Sequence, residues 1–182
     1  RLLTFIIFYD NLYANEKKGL FMNYYIDFDN TLFNTPLLIE EMLKSITNSI
    51  SEQKEIDKKE IFKECKSMFN RENIYNIYEL AEHFANKYNL DLFPILKNLN
   101  HIILNGKDFV FADTVPFLQK LKSAGHNLYL LTYCKESLQA QSAKVSGSQI
   151  SDFFDALYIT SKPKYQLDIN YTNGIFIDDN PK

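Results

Sequence analysis

The 182-residue chain has little of what marks several specialised protein classes. It contains two cysteines and no tryptophan, and no apolar run is long enough to cross a bilayer. Its net charge of -3 and its pI of about 5.6 exclude the basic surface that is typical of proteins that bind nucleic acid. We therefore expect one globular domain, with or without an insertion, that binds neither nucleic acid nor a membrane.

The two cysteines argue against a zinc site, a disulfide framework and a cysteine phosphatase mechanism in this chain. Cys65 and Cys134 lie far apart and lack the spacing of a zinc site or of a disulfide framework. Free thiols are typical of a reducing compartment, so we expect a cytoplasmic protein. Cys134 is unsuited to be the nucleophile of a cysteine phosphatase, because residues 135–145 contain no arginine that would bind the phosphate. We expect Cys134 to pack at the end of a strand.

The two ends of the sequence lead to a further expectation. The chain starts with Arg1, and Met22 stands just before the first predicted strand. We expect Met22 to be the natural start and residues 1–22 to be a non-native leader, with an N-terminal extension as the alternative. Because the chain stops directly after its last predicted strand, we expect C-terminal truncation to have removed a further strand of the sheet.

Hydrophobic periodicity divides the rest of the chain into a strand, a helical block and an alternating region. Residues 24–28 form a short apolar run that is typical of a buried strand. Apolar residues then recur at helical spacing through residues 36–106, which predicts about four amphipathic helices. Beyond them we expect helices over 115–124 and 135–145 and strands over 127–131, 156–159 and 175–177. The pattern predicts an α/β fold, a doubly wound parallel sheet with a helical insertion after its first strand.

Polar side chains follow the predicted strands at the point where each strand ends. They are Asp27 and Asp29, then Thr132, then Lys162 or Lys164, and finally Asp178 and Asp179. The carboxyl ends of parallel strands share one edge of a sheet, so these side chains are expected to meet there. Carboxylates, waters and substrate phosphate are the ligands that Mg²⁺ prefers, and an aspartate can form a covalent aspartyl-phosphate. The sequence therefore predicts a magnesium site that binds a phosphoryl group.

These segments resemble the signatures of the haloacid dehalogenase-like (HAD) phosphohydrolases. Residues 25–32, Tyr-Ile-Asp-Phe-Asp-Asn-Thr-Leu, resemble the first signature, and Leu-Leu-Thr at 130–132 resembles the second. Lys162 or Lys164 resembles the third, and Ile-Phe-Ile-Asp-Asp at 175–179 resembles the fourth. The resemblance implies a Rossmann-like HAD core formed by residues 23–35 and 107–182. It also implies that residues 36–106 are a helical cap of the C1 type.

The resemblance implies distinct roles for the first two carboxylates. Asp27 would attack phosphorus and also bind magnesium. Asp29 would donate a proton to the leaving oxygen and then activate water, with its backbone carbonyl on the metal. Family members that cleave carbon–halogen or carbon–phosphorus bonds typically lack this second acid, so Asp29 indicates phosphate ester chemistry.

The remaining signature residues would complete the site. By resemblance, Thr132 would hydrogen-bond the phosphoryl oxygens, and Asp178 and Asp179 would complete the metal site. One lysine would neutralise the crowded negative charge. We prefer Lys162 to Lys164, because Lys162 followed by proline resembles a common form of the third signature.

We therefore expect a magnesium-dependent phosphatase that acts on a small phosphorylated metabolite. A phosphomutase of the same family and a regulatory or binding protein with weak catalysis are the alternatives. A receiver-type signalling domain uses similar residues, but its paired acids precede the phosphoacceptor and it has no helical insertion. The helical cap, rather than the signatures, would select the substrate.

Overall fold

A computed structural model describes residues 21–71, 76–135, 137–169 and 174–179 of the chain. The predicted leader, residues 1–22, lies outside these ranges except for Phe21 and Met22. The chain divides into two compact units, one formed by Arg1–Asn34 with Lys107–Lys182 and the other by Thr35–Gly106.

The first unit is built on a parallel sheet. Its strands are β1 (Asn23–Ile26), β2 (Asn127–Tyr133), β3 (Ala156–Thr160) and β4 (Gly174–Ile177). They lie in the order β3-β2-β1-β4, and each neighbouring pair is parallel. This arrangement confirms the predicted parallel sheet and α/β class. Strands β2 and β3 lie on one side of β1, and β4 lies on its other side. The strand order therefore reverses at β1, which is where such sheets usually bind ligands.

The register aligns the carboxyl ends of three neighbouring strands, β2, β1 and β4. Ile26 is paired with Leu130 of β2 on one side and with Ile177 of β4 on the other. The backbone N–H of Asp27 donates to the carbonyl of Ile177 over 2.8 Å, which extends the β1–β4 pairing by one residue. The side chains that follow β1 and β4 therefore start from the same edge.

Aromatic and aliphatic side chains explain why these short segments pair. Tyr25 stacks on Tyr129 and on Phe176 at centroid distances of 5.0 and 5.1 Å, which are cross-strand contacts that stabilise a sheet. Ile26 and Leu130 are fully buried. The strands thus carry the near-continuous apolar pattern of parallel sheets that are covered on their faces.

Helix α5 (Thr114–Ser123) packs against β2, and helix α6 (Leu138–Gly147) packs against β3. The predicted helix over 115–124 agrees with α5 to within one residue at each end, and Gly125, just past the helix, has a φ of +84°. Helix α6 begins three residues later than predicted, because the hydroxyl of Ser137 accepts the N–H of Ala140 and caps the helix there. One-turn 3₁₀ helices lie at Gly106–Phe109, Ser151–Phe153 and Lys164–Gln166.

The second unit is a bundle of helices with its own core. It contains α1 (Thr35–Lys54), α2 (Lys58–Arg71), α3 (Ile77–Tyr88) and α4 (Leu92–Leu104), and α1 packs against each of the others. Its fully buried side chains lie at helical spacing: Ile46, Ile50, Ile61, Leu80, Phe84, Ile95 and Leu99. In the described part of the chain, no helix combines the length and the apolar character needed to cross a membrane.

Candidate active site

A tight turn after β1 places the two aspartates at the edge of the sheet. The carbonyl of Phe28 accepts the backbone N–H groups of Leu32 and Phe33 over 3.0 and 3.1 Å. Asn30 adopts a left-handed conformation with a φ of 59°, which asparagine tolerates better than most residues. The chain therefore leaves the strand and turns back at once, so that Asp27 and Asp29 project from a short and well-bonded segment.

Asp27 forms an ion pair with a lysine that also binds a second carboxylate. Lys164 Nζ lies 2.7 Å from Asp27 Oδ1 and 2.7 Å from Asp178 Oδ2. Lys164 opens the 3₁₀ helix that follows β3, and Asp178 directly follows β4. Three strand ends therefore contribute to one charged cluster.

Burial changes the protonation chemistry of this cluster. Asp27 is only 9% exposed, and desolvation raises its pKa from 3.8 to about 6, although Lys164 acts in the opposite direction. Burial also acts against the ammonium of Lys164, but its pairs with Asp27 and Asp178 outweigh this and raise its pKa. The site therefore concentrates negative charge in a poorly solvated place with one lysine among the carboxylates.

A third carboxylate, Asp179, joins Asp27 and Asp178 in an arrangement that suits a divalent cation. Asp27, Asp178 and Asp179 each offer an oxygen, and the three oxygens lie within 4.8 Å of one another. Desolvation, followed by the proximity of Asp178, raises the pKa of Asp179 as well. A hard cation among these oxygens would offset both effects, because carboxylate oxygens are its preferred protein ligands. The residues present therefore fit a magnesium ion.

The Asp29 carboxylate faces a different set of partners from the Asp27 carboxylate. Its Oδ1 is ion-paired with Lys144, and its Oδ2 accepts a hydrogen bond of 2.7 Å from Gln141 Nε2. The same Gln141 nitrogen donates to Thr132 Oγ1 over 2.8 Å. Thr132 is fully buried near the end of β2. Asp29 and Thr132 are thus linked through one buried side chain.

Of the two predicted lysines, the structure places Lys164, and not the preferred Lys162, beside Asp27. Lys162 is exposed, and its backbone N–H and carbonyl both bond to the Thr160 hydroxyl in a tight turn after β3. The chain therefore turns at Lys162 and Pro163, and the next lysine, Lys164, is the one directed at Asp27. The resemblance of Lys162 and Pro163 to the third signature gave no indication of this turn.

Sequence reasoning also missed Gln141 and Lys144. They lie three residues apart on α6, so they share one face of the helix. Gln141 is 5% exposed, whereas Leu138 on the same helix is 45% exposed. A polar pair on the inward face of the helix that follows Thr132 was the available signal. It was weak, because glutamine and lysine are ordinary residues of exposed helix faces.

Cys134 lies buried just after β2. Its backbone N–H donates to the carbonyl of Thr160 over 2.8 Å, which continues the pairing of β2 with β3. Its predicted packing at the end of a strand therefore agrees with the structure.

No protein-family model matches the chain, and no curated protein does so either. Solved structures of HAD-family hydrolases are similar to it. A HAD phosphatase from Thermococcus onnurineus shares 21% identity over 77% of this chain and 62% of its own, with a TM-score of 0.44. The HAD-hydrolase YfnB from Bacillus subtilis, whose structure contains bound magnesium, shares 12% identity over 76% of this chain and 63% of its own, with a TM-score of 0.45.

An L-2-haloacid dehalogenase from Xanthobacter autotrophicus is also similar, at 12% identity over 77% of this chain and 57% of its own, with a TM-score of 0.43. In all three comparisons, the aligned region spans less than two thirds of the solved protein.

Proposed function

We propose that the chain is a magnesium-dependent phosphohydrolase of the HAD type that removes phosphate from a small phosphorylated metabolite. The main support for this proposal is the cluster of Asp27, Asp178, Asp179 and Lys164. It lies at the edge of the parallel sheet, where the strand order reverses. Such a cluster suits a phosphoryl group, because cation and ammonium together balance the charge that the phosphate would bring.

Asp27 is the proposed nucleophile. One of its carboxylate oxygens attacks phosphorus and forms a P–O bond, while the bond between phosphorus and the leaving alcohol oxygen breaks. Asp29, in its protonated form, supplies the proton that this oxygen needs and becomes a carboxylate. Water then attacks phosphorus, Asp29 takes a proton from it, and the bond to Asp27 breaks to release inorganic phosphate.

The other residues stabilise charge in this scheme. Magnesium, when held by Asp27, Asp178, Asp179 and the backbone carbonyl of Asp29, would neutralise the phosphoryl oxygens. Lys164 contributes a second positive charge, and the Thr132 hydroxyl is a donor for the transferred group. Asp29 is what favours a phosphate ester over a haloacid as substrate, because departure of a halide requires no proton.

The test compares the full chain with two variants that carry the same substitution. Wild type, Asp27→Asn and Asp152→Asn are assayed with para-nitrophenyl phosphate, sugar phosphates, nucleotides and phosphoglycolate, with magnesium and with excess EDTA. Asp152 is an exposed carboxylate away from the cluster and serves as the control. We expect turnover to fall on the order of 10³-fold or more in Asp27→Asn alone, as losses of catalytic nucleophiles do.

Four results would contradict parts of the proposal. Equal turnover by wild type and Asp27→Asn would exclude Asp27 as the nucleophile, and full activity in EDTA would exclude the metal. A product that retains the phosphate at another position would indicate a phosphomutase. An acid-quenched reaction should show one added phosphoryl group on the peptide that contains Asp27, and its absence during rapid turnover would argue against the aspartyl-phosphate.

A further inference from the structure

Helix α6 directs two side chains at the proposed acid/base residue. Lys144 pairs with one carboxylate oxygen of Asp29, and Gln141 donates to the other. A carboxylate has about four lone-pair sites, so these two bonds fix its orientation without using its full acceptor capacity. Asp29 is therefore held from one helix through both of its oxygens.

Lys144 lies in an environment that is unusual for a lysine. Its side chain is only 13% exposed, and its ammonium lies 5.7 Å from the centroid of the Phe28 ring and 6.0 Å from that of Phe33. Burial of an ammonium costs free energy unless it is paired, and the ring faces attract it only modestly. Its ion-pair partner Asp29 therefore accounts for its position.

Gln141 connects Asp29 to the phosphate-binding side of the site. Its amide nitrogen lies 2.7 Å from Asp29 Oδ2 and 2.8 Å from Thr132 Oγ1. Both contacts come from a helix whose N-terminus is capped by Ser137, and not from a loop. One side chain thus joins the proposed proton donor to the hydroxyl proposed to bind the phosphoryl group.

We propose that Lys144 and Gln141 are positioning residues that orient the Asp29 carboxyl for proton transfer to the leaving oxygen. This inference rests on the proposed function and deepens it. In this role, neither side chain contacts the substrate. Their effect on kcat/KM should therefore appear only where departure of the alcohol needs a proton from Asp29.

Two aryl phosphates of similar size separate this role from general damage. Phenyl phosphate has a poor leaving group that needs protonation, and para-nitrophenyl phosphate has a good one that does not. Because kcat/KM reports the steps up to departure of the alcohol, we compare this constant for the two substrates. In Lys144→Met we expect a loss of about 10- to 100-fold for phenyl phosphate and of less than about 3-fold for para-nitrophenyl phosphate.

Matched variants test the assignment of the effect to Asp29. Gln141→Met should show the same selectivity with a smaller loss, and Lys144→Arg should restore most of the phenyl phosphate activity. In an Asp29→Asn background, Lys144→Met should have no further effect on phenyl phosphate. Lys120→Met on α5 and Gln139→Met on α6 remove exposed side chains and should change neither constant.

The outcomes separate this inference from the proposed function. If wild type shows no Asp27-dependent hydrolysis of para-nitrophenyl phosphate, both are overturned. If wild type is active but Lys144→Met loses the same factor on both substrates, or loses nothing, only the positioning role is overturned. Should Lys144→Met fail to fold, Gln141→Met carries the same prediction, and an unselective loss in that variant overturns the inference.

Discussion

Replacement of Asp27 by asparagine should stabilise the metal-free protein while it inactivates the enzyme. In the folded protein the pKa of Asp27 is raised to about 6, chiefly because burial disfavours the carboxylate. In the unfolded chain the group titrates near its ordinary value of 3.8. Between these two values the folded state binds more protons, so stability contributed at low pH is lost as the pH rises through this window.

The size of the effect follows from the shift. Asparagine resembles the protonated acid and avoids the cost of a buried charge, so Asp27→Asn should gain what the ionised wild type loses. That gain is about 1 kcal/mol at pH 4.5 and about 3 kcal/mol at pH 7.5. For a domain of this length, the gain at pH 7.5 corresponds to roughly 6 to 12 °C in Tm.

The assay is urea or thermal unfolding of wild type and Asp27→Asn in EDTA at pH 4.5 and pH 7.5. Asp155→Asn is the matched control, because its hydrogen bonds to Lys122 and to the backbone N–H of Leu128 lower the pKa of Asp155. This control should lose stability at pH 7.5 rather than gain it. Lower stability of Asp27→Asn than of wild type at pH 7.5, or a difference that is the same at both pH values, would refute the reasoning.

Four further predictions concern the metal, the lysines, the helical core and a left-handed glycine. Magnesium should raise the Tm of wild type in proportion to the logarithm of its concentration and that of Asp27→Asn much less, as measured by thermal scans. Lys164→Met should lower kcat/KM by about 10²-fold through loss of a charge that stabilises the phosphoryl group, whereas Lys162→Met should leave it unchanged; the reverse order would restore the sequence preference. Phe84→Ala, in the core of the helical unit, should cost about 3–5 kcal/mol in the free energy of unfolding, and Gly125→Ala, at a φ of +84°, should cost about 1–2 kcal/mol by the same measurement.

Much of the fold could be predicted because local patterns encode it. The runs around Ile26 and Leu130 are apolar because both lie in central strands of a covered parallel sheet. The helical block shows i, i+4 spacing because each of its helices buries one face. The boundaries were less accurate, since the Ser137 cap and the first turn of α6 depend on which hydroxyl meets which N–H.

The sequence by itself determined that Asp27, Asp29 and Asp178 follow strands, because strand periodicity and the abrupt onset of turn residues are local properties. Parallel pairing then forces these positions to one edge. Only the tertiary structure decided that Lys164, and not Lys162, reaches Asp27, since this depends on a turn whose length no periodicity records. The pairing of Lys144 with Asp29, which are more than a hundred residues apart in the chain, was also visible only in the tertiary structure. Packing against the sheet decides which face of α6 points toward Asp29.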